Sequence, residues 1–565
     1  MSRILVIGGY GGFGARLCRR LAAAGHELVV AGRSAAKAAD FCSGLGRARP
    51  LFLDRRGDVG AALARERVDL VIDAAGPFQD SDDRVPRACI DLGLPYLDLA
   101  DGRDFVAGIG RLDESARAAG VAIVAGASSL PALSGAVARR LAEGLDRVHS
   151  VDIALSTANR SRDGDSVVLA ALSYAGRPLR LWRGGRWVQS HGWQEMRREN
   201  FPLRNGSGLR RRLVALADVP DLGLLPDRLP GRPSVTFRAG TELGFQMRAL
   251  GFASALVHRG WLGSLRPAAR WLLPLYRLTF GLGGERSAMK VVLKGSRGGA
   301  GIQRQWTIVA ERGEGFEIPT LAAAILAERI LAGAVAPGAR DAASLLALDD
   351  FEPAFAGLAV RHETIERPLP PPLYARAMGP AFERLPPALR AMHDVCGDAG
   401  AAGEGMVERG RGWPARLIGA IMRFPPAGRY PVHVAFAETD GVERWTRDFG
   451  GHLFASELSA GGDGIAERFG PIRFAFALPS NDKGLAMELR RWSLFHIPLP
   501  LFLAPRIAAR EWQEENGRFG FDVRVSMPLV GPIVRYAGWL SRLGMPSRPA
   551  FGPPAPVRSR EETMA

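Results

Sequence analysis

The sequence predicts an α/β protein that begins with a Rossmann-like, doubly wound parallel sheet, continues into an α+β region with an antiparallel sheet, and ends in a mostly β domain. Short apolar runs alternate with helix-length segments over residues 3–126, which is typical of a parallel sheet covered on both faces. Longer, alternating runs follow, and a third set of alternating runs comes after a proline-rich stretch. At 565 residues the chain is too long for one core.

The pattern divides the chain into five parts. We expect a dinucleotide-binding Rossmann domain over 1–130 and an α+β domain for substrate binding or dimerisation over 131–365. The proline-rich segment 366–390 is predicted to be an irregular linker. A β-rich domain is expected over 391–545, and a disordered tail over 546–565.

The β-rich part contains two strands whose alternate residues are large and apolar. Ile472, Phe474, Phe476 and Leu478 share one face of the first strand. The second strand, 519–525, has Phe519, Phe521, Val523 and Val525 on one face. Large side chains on an inward face predict a curved sheet that encloses an apolar volume.

The composition limits the partners of the chain. The formal net charge is +16, and nearly all of the 74 basic residues are arginines. An anionic partner and an arginine-rich composition spread over solvated faces both explain this charge. No window has the dense basic run of a nucleic-acid arm, so we expect no nucleic-acid partner. The four cysteines lie far apart, which argues against structural zinc and favours a reducing compartment; we expect no metal and a cytoplasmic location.

A glycine motif follows the first apolar run. The stretch Gly9-Tyr10-Gly11-Gly12-Phe13-Gly14 fits G-x-G-x-x-G, which comes after a predicted strand and opens a predicted helix. The glycines allow a tight turn, close approach of a pyrophosphate and close packing of the helix on the sheet. The phosphates would bind the amide hydrogens at the helix start. A glycine-rich turn without a ligand is the alternative.

The end of the second predicted strand indicates which dinucleotide binds. An NAD site places Asp or Glu there, whereas this chain has Arg33 and Ser34, with Lys37 one turn later. Arginine pairs with a 2′-phosphate, so the residues favour NADP(H) over NAD. A solvated arginine at the strand end is the alternative for Arg33. Asp54, after the third strand, would either meet the adenine amino group or cap the next turn.

Further motifs give a resemblance to a known family. GGYGGFG, AGRS, VIDAAGPF, RACIDLGLPYLDLADG (87–102) and VAGASSLPALSGAV (124–137) together resemble the saccharopine dehydrogenase-like oxidoreductases. The similarity is specific over the first 140 residues and looser to about 360. It implies that the GPF turn, formed by Ala75, Gly76, Pro77 and Phe78, lies against the nicotinamide. The block after the linker resembles a domain of unknown function that often follows such domains, and this resemblance implies no chemistry.

Four polar residues are candidates for the catalytic group. Asp98, Asp101, Ser128 and Ser129 lie at the predicted carboxyl ends of strands, where α/β proteins form their sites. Asp98 would equally cap a turn, and the serines would equally start a helix. The chain contains no GxSxG, HExxH or Walker A motif, so hydrolase, zinc-protease and P-loop functions are not expected.

Residues 249–283 form the most apolar part of the chain. On a continuous helix, Arg259, Arg266, Arg270 and Arg277 would lie along one line, opposite Trp261, Leu265, Leu272 and Leu275. Four cations make a bilayer span improbable, whereas attachment to an anionic membrane surface, or a lid over an apolar substrate, fits this pattern. Pro267 and Pro274 would kink or split the helix. A core or homodimer-contact helical pair is the alternative.

Two functions follow from these observations. The first is an NADPH-dependent oxidoreductase that transfers a hydride to or from a C=O, C=N or C=C bond of a small-molecule or lipid-like substrate. The second is a lipid-binding or membrane-peripheral protein that keeps the nucleotide fold for binding or sensing. The aromatic strands 472–478 and 519–525 and the segment 249–283 support the second function.

Overall fold

A computed structural model of the chain describes residues 1–160, 165–462 and 464–544. The tail predicted over 546–565 lies outside the described residues. The N-terminal part alternates strands and helices, with the following bounds: β1 (Arg3–Ile7), α1 (Gly12–Ala23), β2 (Glu27–Gly32), α2 (Ala35–Ser43), β3 (Ala48–Phe52), α3 (Val59–Ala64), β4 (Leu70–Asp73), α4 (Arg84–Asp91), β5 (Tyr96–Asp98), α5 (Arg103–Gly108), α6 (Asp113–Ala118), β6 (Ala122–Ala125) and α7 (Ser134–Ala142).

The middle part combines longer strands with helices, with the following bounds: β7 (Arg147–Thr157), α8 (Asp165–Ser173), β8 (Pro178–Arg183), β9 (Arg186–His191), β10 (Arg197–Phe201), β11 (Leu209–Leu216), α9 (Asp221–Arg228), β12 (Ser234–Thr241), α10 (Gly244–His258), α11 (Ala269–Leu278), β13 (Ser287–Arg297), β14 (Ala300–Ala310), α12 (Ile318–Leu331), β15 (Gly338–Asp341), α13 (Glu352–Ala356) and β16 (Val360–Pro368).

The C-terminal part is mostly antiparallel strands, with the following bounds: α14 (Leu373–Met378), α15 (Pro380–Glu383), α16 (Pro387–His393), β17 (Ala399–Arg409), α17 (Trp413–Ile421), β18 (Gly428–Thr439), β19 (Val442–Phe449), β20 (His452–Gly461), β21 (Gly464–Phe469), β22 (Ile472–Ala477), β23 (Ser480–Asn481), β24 (Gly484–Leu494), β25 (Ile497–Leu499), β26 (Arg506–Gln513), β27 (Phe519–Met527) and β28 (Gly531–Arg542).

The N-terminal strands form the predicted parallel sheet, in the order β15-β6-β5-β4-β1-β2-β3. Strand β1 shows why this sequence favours that fold, because its residues are buried on both faces. Ile4 and Val6 pack into one core and Leu5 and Ile7 into another, on opposite sides of the sheet. The seventh strand, β15, comes from far beyond the boundary expected at residue 130 and lies in the chain between β14 and β16 of the middle sheet.

The second sheet has the order β10-β11-β12-β7-β13-β14-β16. The sequence predicted an antiparallel sheet, and this prediction is wrong at one pair, because β12 runs parallel to β7. Parallel neighbours require a crossover, and the chain between β7 and β12 supplies it with α8, the hairpin β8–β9 and α9. The result is a mixed sheet that faces the carboxyl edge of the first one.

The third sheet closes on itself. Ten antiparallel strands follow the order β22-β21-β20-β19-β18-β17-β28-β27-β26-β24, and β24 pairs back to β22. Phe474, Phe476, Phe519 and Phe521 are buried inside, which confirms the predicted curved sheet around an apolar volume. Closure removes free sheet edges and turns every second residue inward.

The segment predicted as an irregular linker is largely helical. Strand β16 continues to Pro368, and α14, α15 and α16 occupy most of 373–393. The prolines stand where helices tolerate them, at or just before the first turn, so they start helices here rather than prevent them. Leu373, Tyr374 and Leu389 pack into the core of the closed sheet.

Among the described residues, no helix is long and apolar enough to cross a bilayer.

Candidate functional site

The glycine motif forms the turn between β1 and α1. Helix α1 begins at Gly12, and its N-cap is Gly11, which brings no capping side chain. The first turn of a helix leaves its amide hydrogens without backbone partners, so the amides of Gly12, Phe13 and Gly14 remain available. Together with the helix dipole they form a site for a pyrophosphate. These three amides are the groups of the glycine turn that could hold a pyrophosphate, as the motif predicts.

Gly14 is required for this turn by close packing. A Cβ atom at Gly14 would overlap the carbonyl oxygen of Gly8 and lie 3.0 Å from the Cα atom of Gly9. Both contacts are with backbone, which has no room to give way. Helix α1 therefore approaches the end of β1 only because residue 14 is glycine.

The residues predicted to bind the 2′-phosphate gather at the end of β2. Arg33 and Lys37 are exposed there, and the hydroxyl of Ser34 caps α2 by accepting the amide of Lys37 at 3.3 Å. Tyr10 joins the group, because its hydroxyl accepts the amide of Ser34 at 2.9 Å. Its ring also covers Gly32, where a Cβ atom would lie 2.5 Å from a ring carbon. Within the described ranges the Arg33 side chain forms no ion pair, so it is free to meet an anion.

Asp54 lies in a turn after β3. Its Oδ1 accepts the amide of Arg56 at 3.0 Å, and its carbonyl oxygen accepts the amide of Gly57. This arrangement is an Asx turn, one of the two roles that the sequence left open. Asp54 lies at the same edge of the sheet as the glycine turn.

The GPF turn follows β4 and is held by a residue that sequence analysis missed. Arg55 donates to the carbonyl oxygen of Ala75 at 2.8 Å, and its guanidinium lies 5.0 Å from the centre of the Phe78 ring. It also pairs with the buried carboxylate of Asp73 at 3.1 Å. Gly102 completes the support, because a Cβ atom there would lie 2.5 Å from the carbonyl oxygen of Phe78. In the sequence Arg55 is one of two adjacent arginines after β3, and nothing distinguishes it from Arg56.

One cavity joins these elements to the second sheet. It encloses about 1160 Å³, its opening included, and lies between the carboxyl edge of the parallel sheet and strands β7, β13 and β14. Its walls are mainly apolar, and Phe13 meets Phe316 across it with ring centres 6.1 Å apart. Of the residues predicted from the sequence, those lining it are Phe13, Gly76, Pro77, Phe78, Asp101, Ser128 and Ser129.

Of the two candidate aspartates, only Asp101 lines the cavity. Asp98 does not line the cavity; its Oδ1 accepts the amides of Ala100 at 2.9 Å and Gly126 at 2.7 Å, so it holds two loops together. Burial raises the pKa of Asp98 to about 7, although both amides oppose the shift. Asp101 does line the cavity and accepts the side-chain amide of Gln79 at 3.1 Å. Burial also raises the pKa of Asp101.

The polar groups of the cavity are few. Besides Asp101, the described residues that line it contribute only hydroxyls, from Ser128, Ser129, Thr157 and Ser287. The Ser287 hydroxyl already accepts the amide of Ala158 at 2.9 Å. None of these lining residues is Lys, Arg or His, so this wall offers no cation to a carboxylate-rich substrate. Within the described ranges, no cluster of three or more His, Cys, Asp or Glu side chains is arranged to hold a metal ion.

The segment 249–283 is not one helix. Helix α10 ends at His258, the chain turns through 259–265, and α11 begins at Ala269. The prediction that Arg259, Arg266, Arg270 and Arg277 share one helical line is therefore wrong, because the break changes the helical phase. The possibility of a split into short helices is confirmed.

Part of that segment folds against the site. Leu265 and Ala269 are buried in the main core. Arg266 forms an ion pair with Asp80, two residues after the GPF turn. The outer surface keeps apolar side chains exposed, among them Trp271, which is 71% exposed.

The fold and the glycine turn define an NAD(P)-binding α/β protein. Residues 4–88 match the model of the NAD dependent epimerase/dehydratase family. Residues 385–540 match a family described as Domain of unknown function (DUF4166). No curated protein matches the chain.

Three solved structures similar to this chain have low sequence identity to it. Saccharopine dehydrogenase (L-Glu forming) from Saccharomyces cerevisiae is 14% identical, with 65% of this chain and 100% of that chain covered and a TM-score of 0.47. Amine dehydrogenase from Mycobacterium smegmatis is 10% identical, with 60% and 95% covered and a TM-score of 0.33. GenD2 from gentamicin A biosynthesis, in complex with NAD, is 15% identical, with 65% and 96% covered and a TM-score of 0.31. Such low identities do not identify a substrate for this chain.

Proposed function

We propose that the protein is an NADP(H)-dependent oxidoreductase that acts on an apolar substrate in the cavity between the first two sheets. One observation carries this proposal: a single cavity connects the start of α1 and the GPF turn with Asp101. A dinucleotide on the glycine turn would extend toward that cavity along the carboxyl edge of the sheet, where ligands of doubly wound folds bind.

The preference for NADP(H) rests on Arg33, Ser34 and Lys37. Arg33 and Lys37 are exposed cations at the end of β2, and none of the three residues is a carboxylate that would repel a 2′-phosphate. The hydroxyl of Ser34 accepts the amide of Lys37 and still has its hydrogen to donate. Two cations and one donor are therefore available to a 2′-phosphate at the end of β2.

The chemistry follows from what this cavity supplies. Bound NADP(H) provides or accepts a hydride, and reduction of a C=O or C=N bond also consumes one proton. Asp101 is the proton source we assign, because it is the one carboxyl group among the described lining residues. Its raised pKa keeps a larger fraction protonated near neutral pH than an exposed aspartate would have. Gln79 holds the carboxyl group in place through its side-chain amide.

The apolar walls support an apolar substrate. Phe13, Phe316, Met289 and Ile308 line the cavity, and such walls exclude water from a hydride acceptor. The lack of cations among the described lining residues disfavours substrates with several carboxylates. The segment 265–278 would act as a lid, since Arg266 anchors it to Asp80 beside the GPF turn.

Energy transfer from tryptophan to the nicotinamide tests the proposal. The wild type should bind NADPH more tightly than NADH, and Arg33→Asp should weaken NADPH binding by roughly 10- to 100-fold, the range for a lost charge-assisted contact. Arg65→Asp, an exposed arginine elsewhere in the same domain, is the matched control and should bind normally. No energy transfer with either dinucleotide would overturn the whole proposal. Normal NADPH binding by Arg33→Asp would overturn only the preference.

A further inference from the structure

The closed C-terminal sheet contains a second, separate cavity. It encloses about 1270 Å³, its opening included. The walls are aromatic and aliphatic, with Phe474, Phe521, Val434 and Ile507 as examples from four different strands. No group in this cavity belongs to the dinucleotide site.

The few charged groups in this cavity are paired. Arg447 lies 3.3 Å from Glu467 and donates to the Ser456 hydroxyl at 2.8 Å. Glu511 lies 2.7 Å from a ring nitrogen of His393, which is fully buried. Since Glu467 pairs with Arg447 and Glu511 is hydrogen-bonded to His393, no charged group among the described lining residues is without a partner, and the cavity favours an apolar chain.

One end of the closed sheet is sealed. Helices α14 and α16 pack against it, and the Tyr374 ring closes the cavity from inside, stacked on His393 with ring centres 3.7 Å apart. The middle sheet adjoins this end as well, through Lys294, which contacts Glu438 at 2.7 Å. A ligand therefore has to enter from the opposite end.

The opposite end is bordered by connections that line the cavity with Ile418, Met422 and Pro505 and carry exposed apolar side chains. Strand β17 leads there into α17, β24 into the segment 495–505, and β27 into the turn 528–530. The strand pairs Arg409–Val534 and Arg506–Ser526 place these connections together. Exposed large apolar side chains on them are Trp413 (77% exposed), Leu417, Ile421, Phe495, Phe502 (75% exposed) and Leu529. We call this group the rim.

The apolar residues of the rim do not stabilise the turns in which they lie. Leu529 has a φ of 65° and Phe495 a φ of 50°, a region that glycine or asparagine occupies at lower cost. Both side chains are exposed, so neither gains packing energy in return. Apolar residues at strained, exposed positions point to a surface that something else covers.

The charged residues near the rim indicate what kind of surface covers it. The connections 410–427, 495–505 and 528–530 contain Arg411, Arg416 and Arg423, all exposed, and no Asp or Glu. Arg506 follows directly and is exposed too. Aromatic and aliphatic side chains interspersed with arginines match the interface of an anionic bilayer, where apolar groups enter between lipids and cations meet the headgroups.

We propose that the C-terminal sheet binds one long-chain lipid of the fatty-acyl class and takes it up from an anionic membrane surface through the rim. The apolar chain occupies the cavity, and the polar headgroup stays at the rim beside the arginines. This site does not depend on the proposed oxidoreductase activity.

The first experiment tests whether the cavity binds a fatty acid, and it uses the full chain. Parinaric acid, a fluorescent fatty acid, is titrated while tryptophan-sensitised emission is followed with NADPH present at saturation. Ala509 is buried and lines the cavity, and its neighbour Ala508 is exposed on the outer face of the same strand. Ala509→Trp should weaken binding at least tenfold, and Ala508→Trp should leave it unchanged. Equal affinities in the wild type and Ala509→Trp would overturn the cavity as the site.

A second readout covers the case in which Ala509→Trp does not fold. Lipids extracted from the purified wild type are identified by mass spectrometry and counted per chain. About one long-chain lipid per chain supports the proposal. A wild type that carries no lipid and also fails to bind parinaric acid would end it.

The third experiment tests whether the rim binds an anionic membrane. Vesicles of phosphatidylcholine with or without phosphatidylglycerol are mixed with the protein and separated by flotation. We expect binding to the anionic vesicles only, and Arg416→Glu should reduce it several-fold without changing parinaric acid affinity. Arg384→Glu, an exposed arginine at the sealed end, is the control and should bind normally. Unchanged vesicle binding in Arg416→Glu would overturn the rim as a membrane contact. So would a wild-type dimer that Phe502→Asp dissociates, since a second copy would then cover the rim.

Discussion

The guanidinium of Arg55 lies 3.1 Å from the carboxylate of Asp73, which has no exposed surface. This pair joins the turn after β3 to the end of β4, and the same guanidinium donates to Ala75 in the GPF turn. One side chain therefore sets the position of the wall that we assign to the nicotinamide.

We predict that Arg55→Met destabilises the N-terminal sheet by about 3–5 kcal/mol, because it leaves the buried Asp73 carboxylate without its cation. Urea unfolding followed by circular dichroism measures this change, and NADPH affinity should fall with it. Arg56→Met is the control, since Arg56 is the exposed neighbour in the same turn. Equal unfolding midpoints for the two variants would contradict the role assigned to the pair.

We predict that Asp98 makes the free energy of unfolding depend on pH. Burial raises the pKa of Asp98 to about 7 from an ordinary value of 3.8, so the folded state holds this proton more tightly than the unfolded state. The stabilisation is fully present below about pH 4 and is lost as the pH rises to about 7. Relative to Asp98→Asn, the wild type should lose roughly 2–4 kcal/mol across this range.

The measurement is urea unfolding of both proteins at several pH values between about 4 and 8. Asp104→Asn, at an exposed aspartate in the same domain, should show the pH dependence of the wild type. A constant difference between the wild type and Asp98→Asn at every pH would show that Asp98 does not hold the proton.

We predict that Gly14→Ala weakens NADPH binding more than about tenfold, equivalent to about 1.4 kcal/mol. The added methyl group would overlap the carbonyl oxygen of Gly8 and push α1 away from the pyrophosphate site. Gly110→Ala is the matched control, because no atom lies within 4 Å of the Cβ position there. Titration by tryptophan-to-nicotinamide energy transfer compares the two, and similar affinities would contradict the packing argument.

We predict that Asp101→Asn lowers kcat by about 10²- to 10⁴-fold, the usual contribution of a general acid, and leaves NADPH affinity unchanged. Loss of NADPH absorbance with a series of medium-chain ketones and aldehydes as surrogate substrates provides the assay. Asp104→Asn again serves as the control for a change of charge. Full activity of Asp101→Asn on a surrogate that the wild type reduces would remove Asp101 from the mechanism.

We predict that Arg266→Glu loosens the lid only slightly. An exposed ion pair contributes about 0.2–1 kcal/mol, so amide exchange over α11 should rise by about 1.4- to 5-fold. The reversed pair, Asp80→Arg with Arg266→Glu, should restore the wild-type rate. Arg259→Glu, an exposed arginine at the end of α10, controls for the charge change. Equal exchange in Arg259→Glu and Arg266→Glu would show that Asp80 does not anchor the lid.

The sequence predicted the features whose physical cause is local. The strands β1 to β6 follow from apolar runs, and the cradle at Gly14 follows from the spacing of glycines before a helix. The inward faces of β22 and β27 follow from strict alternation, which also predicted that the sheet encloses an apolar volume. Each of these patterns depends only on neighbours along the chain.

The sequence could not predict contacts between distant parts of the chain. Strand β15 joins the first sheet from residue 338, and Arg55 meets Asp73 and Phe78, because folding brings together segments that no local pattern connects. The continuous helix expected over 249–283 fails for a related reason, since the burial of Leu265 and the pair between Arg266 and Asp80 accompany a break in the helix.

The local order of residues therefore determined the glycine turn and the exposed cations Arg33 and Lys37 after β2, because both depend on short spacings. Only the tertiary structure separated Asp98, which holds two loops together, from Asp101, which faces a cavity. The two aspartates stand three residues apart, in YLDLAD, and both follow an apolar run. Their surroundings differ because Asp101, and not Asp98, lines the cavity that the second sheet borders, with lining residues nearly 200 positions further along the chain.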